Sequence, residues 1–441
     1  MSFPRYESYR DSGVEWLGHM PSHWRIDRLK YVADVRPSNV DKKSYEGDVA
    51  VQLCNYTDVY YQEQITSAPG LMEATATPEQ VARFGLCADD VIITKDSETS
   101  DDIAISAHVP ETLPGVVCGY HLALLRPRDG ASGAFIKRYF DSRFAKASVA
   151  VRANGLTRVG LGQYALDNLL LPIPPRREQL AIAAFLDRET AKIDALVEAQ
   201  QRLIELLKEK RQAVISHAVT KGLDPKVPMK DSGVEWLGEV PAHWTIDRLS
   251  HVADFLPGKA HEPYVDDDGE FIYVSARFVS TGGSSVKHCS RNLRPAKAGD
   301  ILMVMSDLPG GRALARAFLV GDDRPYAVNQ RVCIVRPREI HGDYLFFQMD
   351  RNPGLLAHDD GANQTHLSNE DYTTLPLLVP PIDEQRRIGS FLIATTCRID
   401  ALIREADAAT ALLSERRTAL ISAAVTGKID VRGAACEAEA A

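Results

Sequence analysis

Between Glu178 and His217 the chain has neither glycine nor proline, and helix-favouring residues dominate. Positions on one face recur there in alternating steps of four and three: Ile182, Leu186, Glu189, Ile193, Leu196, Gln200, Leu203, Leu207, Lys210 and Val214. A later stretch repeats the stripe at Ile388, Leu392, Thr395, Ile399, Leu402, Ala406, Ala409, Leu413, Arg416 and Leu420. This is the a/d pattern of a coiled coil with some polar positions. A helix of about 40 residues is about 60 Å long, more than a neighbouring domain of about 150 residues covers. The pattern therefore predicts two long helices packed on each other; the plainer alternative lays each on its own domain.

Elsewhere the period shortens. Runs rich in β-branched residues at Val49–Leu53, Val91–Thr94, Phe271–Ser275, Ile301–Val304 and Val332–Val335 predict strands. Phe135–Val149 and Asp343–Met349 predict helices. The class is mixed α/β (α+β).

The pattern is written twice. Asp11–Val35 and Asp231–Phe255 share 18 of 25 residues, DSGVEWLG among them, and these blocks hold all four tryptophans, Trp16, Trp24, Trp236 and Trp244. Pro174–Gly222 and Pro380–Lys428 align without gaps at 22 of 49 positions. Both open on PP-x-x-EQ (Pro174, Pro175, Glu178, Gln179; Pro380, Pro381, Glu384, Gln385) and close on Ser-x-Ala-Val-Thr. Such identity establishes an internal duplication. The stretches between diverge, yet Asp90-Val-Ile-Ile answers Asp300-Ile-Leu-Met, and Leu124-Leu-Arg-Pro-Arg answers Ile334-Val-Arg-Pro-Arg. Gly155 and Leu161 keep the spacing of Gly361 and Leu367. Thr426-Gly-Lys-Ile-Asp at the end resembles the Thr220-Lys-Gly-Leu-Asp that leads into the second DSGVEWLG, which predicts a closed, pseudo-twofold arrangement with neighbouring termini.

Composition adds restrictions. With 45% hydrophobic and 25% charged residues the chain reads as an ordinary globular protein of more than one domain. No apolar run is long enough for a membrane helix, and the first ten residues do not read as a signal peptide. Seven dispersed cysteines, without C-x-x-C or zinc spacing, read as reduced thiols in a cytoplasmic protein and argue against a metal site. The net charge of −9 weighs against nucleic-acid binding as a bulk property but leaves room for local basic faces. Neither an Asn/Asp-Pro-Pro-aromatic motif, a phosphate-binding glycine loop nor a nucleophile elbow is found. Asp101 and Asp102 read as an acidic loop rather than metal ligands. Catalysis by this chain alone is not expected.

The DSGVEWLG…P-x-HW…L and PP-x-x-EQ…I-D-x-L…R…A-L-I-S-x-A-V-T blocks, in this order in both halves, resemble the specificity subunits of Type I restriction–modification systems. The resemblance implies two target-recognition domains, at 1–175 and 222–379, each followed by a long helix, at 176–221 and 380–428, and a tail at 429–441. It implies an antiparallel helix pair that sets the spacer and docks partners. Each domain would read half of a bipartite, asymmetric site in double-stranded DNA. Two modification subunits binding S-adenosylmethionine, and two ATP- and Mg-dependent restriction subunits, would be the partners, with no cofactor in this chain. The rival readings are a scaffold whose duplicated domains bind protein or carbohydrate, and a divergent enzyme.

Base readout needs polar side chains presented from loops. The candidates in the first domain are Asn55, Tyr56, Thr57, Lys95, Ser97, Asn154, Thr157 and Arg158, with Tyr120 and His121 behind them. In the second they are Ser275, Arg277, Ser306, Arg312, Asn329, Gln330, Arg331, Asn363, Gln364, Thr365 and His366. For any one of them a plain surface or turn role competes. The tryptophans, shared by both copies, are assigned to packing.

Overall fold

Each glycine- and proline-free stretch is one continuous helix, Arg176–Lys221 and Ile382–Val425. Each starts just after a double proline, which cannot extend a helix backwards. Each ends on a glycine in the left-handed region, Gly222 (φ +74°) and Gly427 (φ +71°), the residue that caps a helix C-terminus without a Cβ clash. The computed structural model describes residues 3–67, 70–155, 157–308, 312–359, 361 and 363–433; the tail beyond 433 lies outside them. The chain forms two units, the first Met1–Gln201 with Asp407–Ala441, the second Arg202–Ala406.

In the first unit an antiparallel sheet has the order Ser106–His108, Val91–Thr94, Leu122–Pro127, Ala33–Pro37. A mixed sheet runs Met72–Ala76, Val49–Cys54, Leu113–Cys118, Gly85–Leu86, its two central strands being parallel. The second unit repeats both orders. Its antiparallel sheet is Ala317–Leu319, Ile301–Val304, Val332–Pro337, Ala253–Pro257. Its mixed sheet is His288–Cys289, Phe271–Val274, Tyr326–Val328, Pro295–Ala296, again with a parallel centre. The repeated Asp…Arg skeleton is a bidentate pair on a buried carboxylate: Arg126 donates to Asp90 at 2.9 and 2.8 Å, and Arg336 to Asp300 at 2.7 and 2.8 Å.

The helices pack against each other as well as on the domains. Ile182, Phe185 and Leu186 share a core with Ile421, Ala424 and Val425 in the first unit. Ile215, Ala218 and Val219 share one with Ile388 and Leu392 in the second. Start meets end in both, so the helices are antiparallel. The seam departs from the expected stripe, for Leu196, Leu203 and Leu402 are exposed. Buried or half-buried positions instead run 182, 186, 190, 193, 197, 200, 204, 207, 211, 215, 218, repeated 206 positions later from 388 to 424. Ten steps from Ile182 to Ala218 average 3.6 residues, the period of a straight helix, whereas a strict heptad averages 3.5 and drifts off the face.

Two other expectations are revised. Phe135–Val149 is two helices, Gly133–Phe140 and Arg143–Ala150, because Ser142 leaves the helical region and caps the second by accepting from the Ala145 amide at 3.3 Å. The Phe271 strand stops at Val274, because Ser275 caps the following helix, Ala276–Ser280.

The shared blocks bolt each helix to its domain. Gln179, fully buried, accepts from the Ser132 amide at 2.9 Å and donates to the Gly130 and Pro174 carbonyls. Gln385 accepts from the His341 amide and donates to the Pro380 carbonyl, both at 2.8 Å. Trp24 and Trp244 are buried, and the Trp24 indole donates to Glu178 at 3.1 Å. Trp16 is partly exposed and stacks on Phe144, so packing accounts for the tryptophans. In the first unit the Asp430 amide donates to the Pro4 carbonyl at 2.8 Å and Tyr9 to the Gly427 carbonyl at 3.0 Å, which brings the described end of the chain onto its beginning.

Candidate nucleic-acid interface

Three turns and a hairpin meet beyond the strand ends of the first unit. The Gly119 amide donates to the Cys54 carbonyl at 2.9 Å, and the Lys95 amide to the His121 carbonyl at 3.0 Å. The Leu161 amide donates to the Lys95 carbonyl at 2.7 Å, and Val159–Gly160 pairs antiparallel with Asp96–Ser97. Asn154 and Gly160 exchange two backbone hydrogen bonds and close the hairpin. A side chain on Gly155 (φ +153°) would collide with the Arg158 carbonyl.

The second unit reproduces this frame. The Asn329 amide donates to the Val274 carbonyl, the Met305 amide to the Arg331 carbonyl, and the Leu367 amide to the Met305 carbonyl, at 3.1, 2.9 and 2.7 Å. Ser306 faces His366 where Asp96 faces Gly160. Backbone geometry is retained and the side chains are exchanged: Asp96 gives way to Ser306, His121 to Arg331, Tyr120 to Gln330, and Arg158 to Gln364.

In the first unit Asp96 organises the face. His121 Nδ1 lies 3.0 Å from its carboxylate and Arg158 Nη2 2.8 Å. Lys95 donates to the Ser38 carbonyl at 2.9 Å and sits 4.7 Å above the Tyr120 ring. Burial lowers the Lys95 ammonium below its ordinary pKa. In the second unit Gln364 donates to Ser306 Oγ at 3.1 Å and Thr365 to Asp359 at 3.0 Å. Asn329 donates to Glu262 at 2.9 Å and accepts from the His261 amide. Partial burial raises the Glu262 carboxyl, but hydrogen bonds from Asn329 and Gln330 and the charge of Arg331 bring it below its ordinary value.

No family model matches the chain. It is 21% identical over 451 residues, 98% of its length and 99% of the relative's, to a putative type I restriction enzyme specificity subunit, MjaX, of Methanocaldococcus jannaschii. It is 22% identical over 377 residues, 77% of this chain and 75% of the other, to the specificity subunit of the Escherichia coli type I restriction enzyme EcoKI. Two solved structures share the fold. One, from work on assembly and conformational transition of the type I R-M system, superposes with a TM-score of 0.73 at 16% identity over 92% of this chain and 98% of its own. The other, the HsdS subunit from Thermoanaerobacter tengcongensis, gives 0.55 at 19% over 93% and 98%. In sequence over 98% of its length, and in fold, this chain is similar to type I specificity subunits.

In this specificity-subunit fold the sequence-derived residues gather as two sets, one per unit. Asn55 caps the helix Tyr56–Tyr61 beside the Gly119 turn, and Ser275 caps the corresponding helix beside Asn329. Thr57, Asn154, Thr157 and Arg158 are exposed, as are Arg277, Arg312, Gln330, Arg331, Asn363, Gln364 and His366; Tyr56, Ser275 and Thr365 are half-buried. Ser97, Ser306 and Asn329 are buried, and the latter two are bonded within the frame. Asp96 was missed. An acidic residue has no place on a list of base readers chosen by donor chemistry, and only the fold shows that it holds His121 and Arg158. Among the described residues no group of His, Cys, Asp or Glu is placed to hold a metal ion, and no helix is long and apolar enough to cross a membrane.

Proposed function

We propose that the chain is the DNA-reading, non-catalytic subunit of a type I restriction–modification enzyme, working in the cytoplasm. Each unit reads one half of a bipartite, asymmetric site, and the long helices set the spacer and dock two modification subunits. Those subunits bring S-adenosylmethionine; ATP and Mg belong to two restriction subunits. The observation that carries the reading is the pair of matching frames with different exposed side chains. A constant backbone with exchangeable donors and acceptors is what two different half-sites require. The acidic total is compatible with this if partners supply much of the phosphate contact.

The test is reconstitution. The purified chain alone should neither methylate nor cut DNA; with a partner modification subunit and S-adenosylmethionine, adenine methylation should appear. Modification by the chain free of partners would overturn the assignment.

A further inference from the structure

On the second unit a cleft of about 640 Å³ is lined by Ser280, Asp307, Arg312, Ala313, Arg316 and Arg351. Its acidic member is already engaged: the Asp307 carboxylate accepts from the Leu308, Ala313 and Leu314 amides at 2.9, 2.7 and 3.2 Å. Arg316 donates to Asp350 at 3.2 Å, and Asp350 also accepts from the Ala317 amide. Arg351 donates only weakly, to the Leu314 carbonyl at 3.4 Å, and the exposed Arg312 has no hydrogen bond or ion pair among the described residues. Three guanidinium groups therefore share one cleft with few acceptors. Arg351 is held in the left-handed region (φ +57°), an arrangement that costs a non-glycine residue free energy, and its amide is fixed to the Ala315 carbonyl at 2.8 Å.

At the Ala315 wall of the cleft the first unit has the same backbone and the opposite charge, whereas Ser142, in the position of Arg351, is extended (φ −75°). Ala104 and Ala315 are both left-handed (φ +58° and +55°), and their amides donate to the Thr94 and Val304 carbonyls. Counting back from these alanines, Asp101 and Asp102 stand where the second unit has Arg312 and Ala313. Tyr60, in the helix position of Ser280, donates to Asp102 at 3.0 Å. The inversion on a retained frame makes the basic cleft a feature of one unit only.

We infer that the Arg312–Arg316–Arg351 cleft seats a backbone phosphate of the DNA, beside the face that reads the second half-site, and that the first unit has no counterpart. This rests on the proposed DNA-reading function. Guanidinium forks match phosphate oxygens bidentately, and Arg312 and Arg351 have donors to spare. This moves Arg312 from the base-reading candidates to the phosphate contacts, and the cleft adjoins the remaining candidates: Ser280 donates to the carbonyl of Arg277, and Asp307 pairs with Thr365. A phosphate here positions the duplex and carries no sequence information.

The test uses the chain in complex with its modification subunits and a duplex carrying the site found by mapping methylated bases. Affinity is measured against salt for the wild type, Arg312→Ala, Arg351→Gly and, as the first-unit control, Asp101→Ala. Arg351→Gly removes the guanidinium while keeping a residue suited to the left-handed backbone. Each arginine variant should lower the slope of log affinity against log salt by about 0.9 for every phosphate it leaves without a cation, roughly an eightfold loss at 0.1 M relative to 1 M salt, equally for matched and mismatched duplexes. Asp101→Ala should not lower the slope. Unchanged slopes in both folded arginine variants, with wild-type binding intact, overturn the phosphate seat alone, as does a changed preference at one base pair. A wild-type complex that binds no duplex overturns the DNA-reading function with it.

Discussion

Arg417 donates to the Asp194 carboxylate at 2.8 Å, and the same contact recurs between Arg211 and Asp400 at 2.9 Å. Asp194 and Asp400 are repeat mates, as are Arg211 and Arg417, so one contact is written once in each unit. The seam is thereby self-complementary: whatever the end of one helix offers the start of the other, the first helix also carries.

A fragment of residues 1–228 should therefore fold as a dimer of two identical halves, with Arg211 of one copy taking the place of Arg417 against Asp194 of the other. Light scattering should give twice the fragment mass, and Arg211→Glu should weaken the association. A folded monomer would contradict the exchange.

Gln179 satisfies one amide and two carbonyls inside the protein, Gln385 one of each. Gln179→Ala leaves those groups without partners and should cost about 2–3 kcal/mol, lowering the melting temperature of the first unit by roughly 5–10 °C. Gln385→Ala should cost the second unit less. Calorimetry of the full chain reads both; equal and negligible shifts would contradict this role.

Glu63 joins Lys137, Arg138 and Arg417. Partial burial raises its carboxyl, but the three cations outweigh that and bring it down to about 2. A depressed carboxylate stabilises the fold above its unfolded pKa near 4.5, and the contribution fades as pH falls towards 2. Glu63→Gln should be less stable than the wild type at pH 7, the gap narrowing steadily below about pH 4.5. A gap independent of pH would show that the charge of Glu63 contributes nothing.

The duplication, both long helices and five strands were legible because each is a local pattern of period or identity. The helix seam was less so: Leu196 and Leu203 satisfy a heptad, but on a straight helix they lie to one side of the buried face, and Val197 and Ile204 take the inward positions. The split at Ser142 was hidden because apolar residues continue on both sides of the cap. The candidate readers were found as separate loops, since donor chemistry can be read from residue type. Their convergence, the tether at Asp96 and the basic cleft at Arg351 depend on contacts between segments distant in the chain, Asn329 and Glu262 among them, which no local pattern encodes.

Gly155→Ala places a Cβ 1.9 Å from the Arg158 carbonyl oxygen, so the hairpin must open and release Arg158 from Asp96. The hairpin is exposed, and stability should change by less than about 1 kcal/mol. The complex should lose discrimination at the first half-site and keep it at the second, as read by binding to duplexes randomised in one half at a time. Equal loss at both halves would contradict independent reading.

The most direct test of the account is base-resolution mapping of methylated adenines in cells carrying the wild type, Arg158→Ala or Gln364→Ala. The wild type should give one two-part asymmetric motif. Arg158→Ala should relax base pairs in one half only and Gln364→Ala in the other, each losing about 1–3 kcal/mol of discrimination, with the spacer unchanged. A motif without two parts, or one in which either substitution alters both halves, would contradict the claim that each unit reads its own half-site.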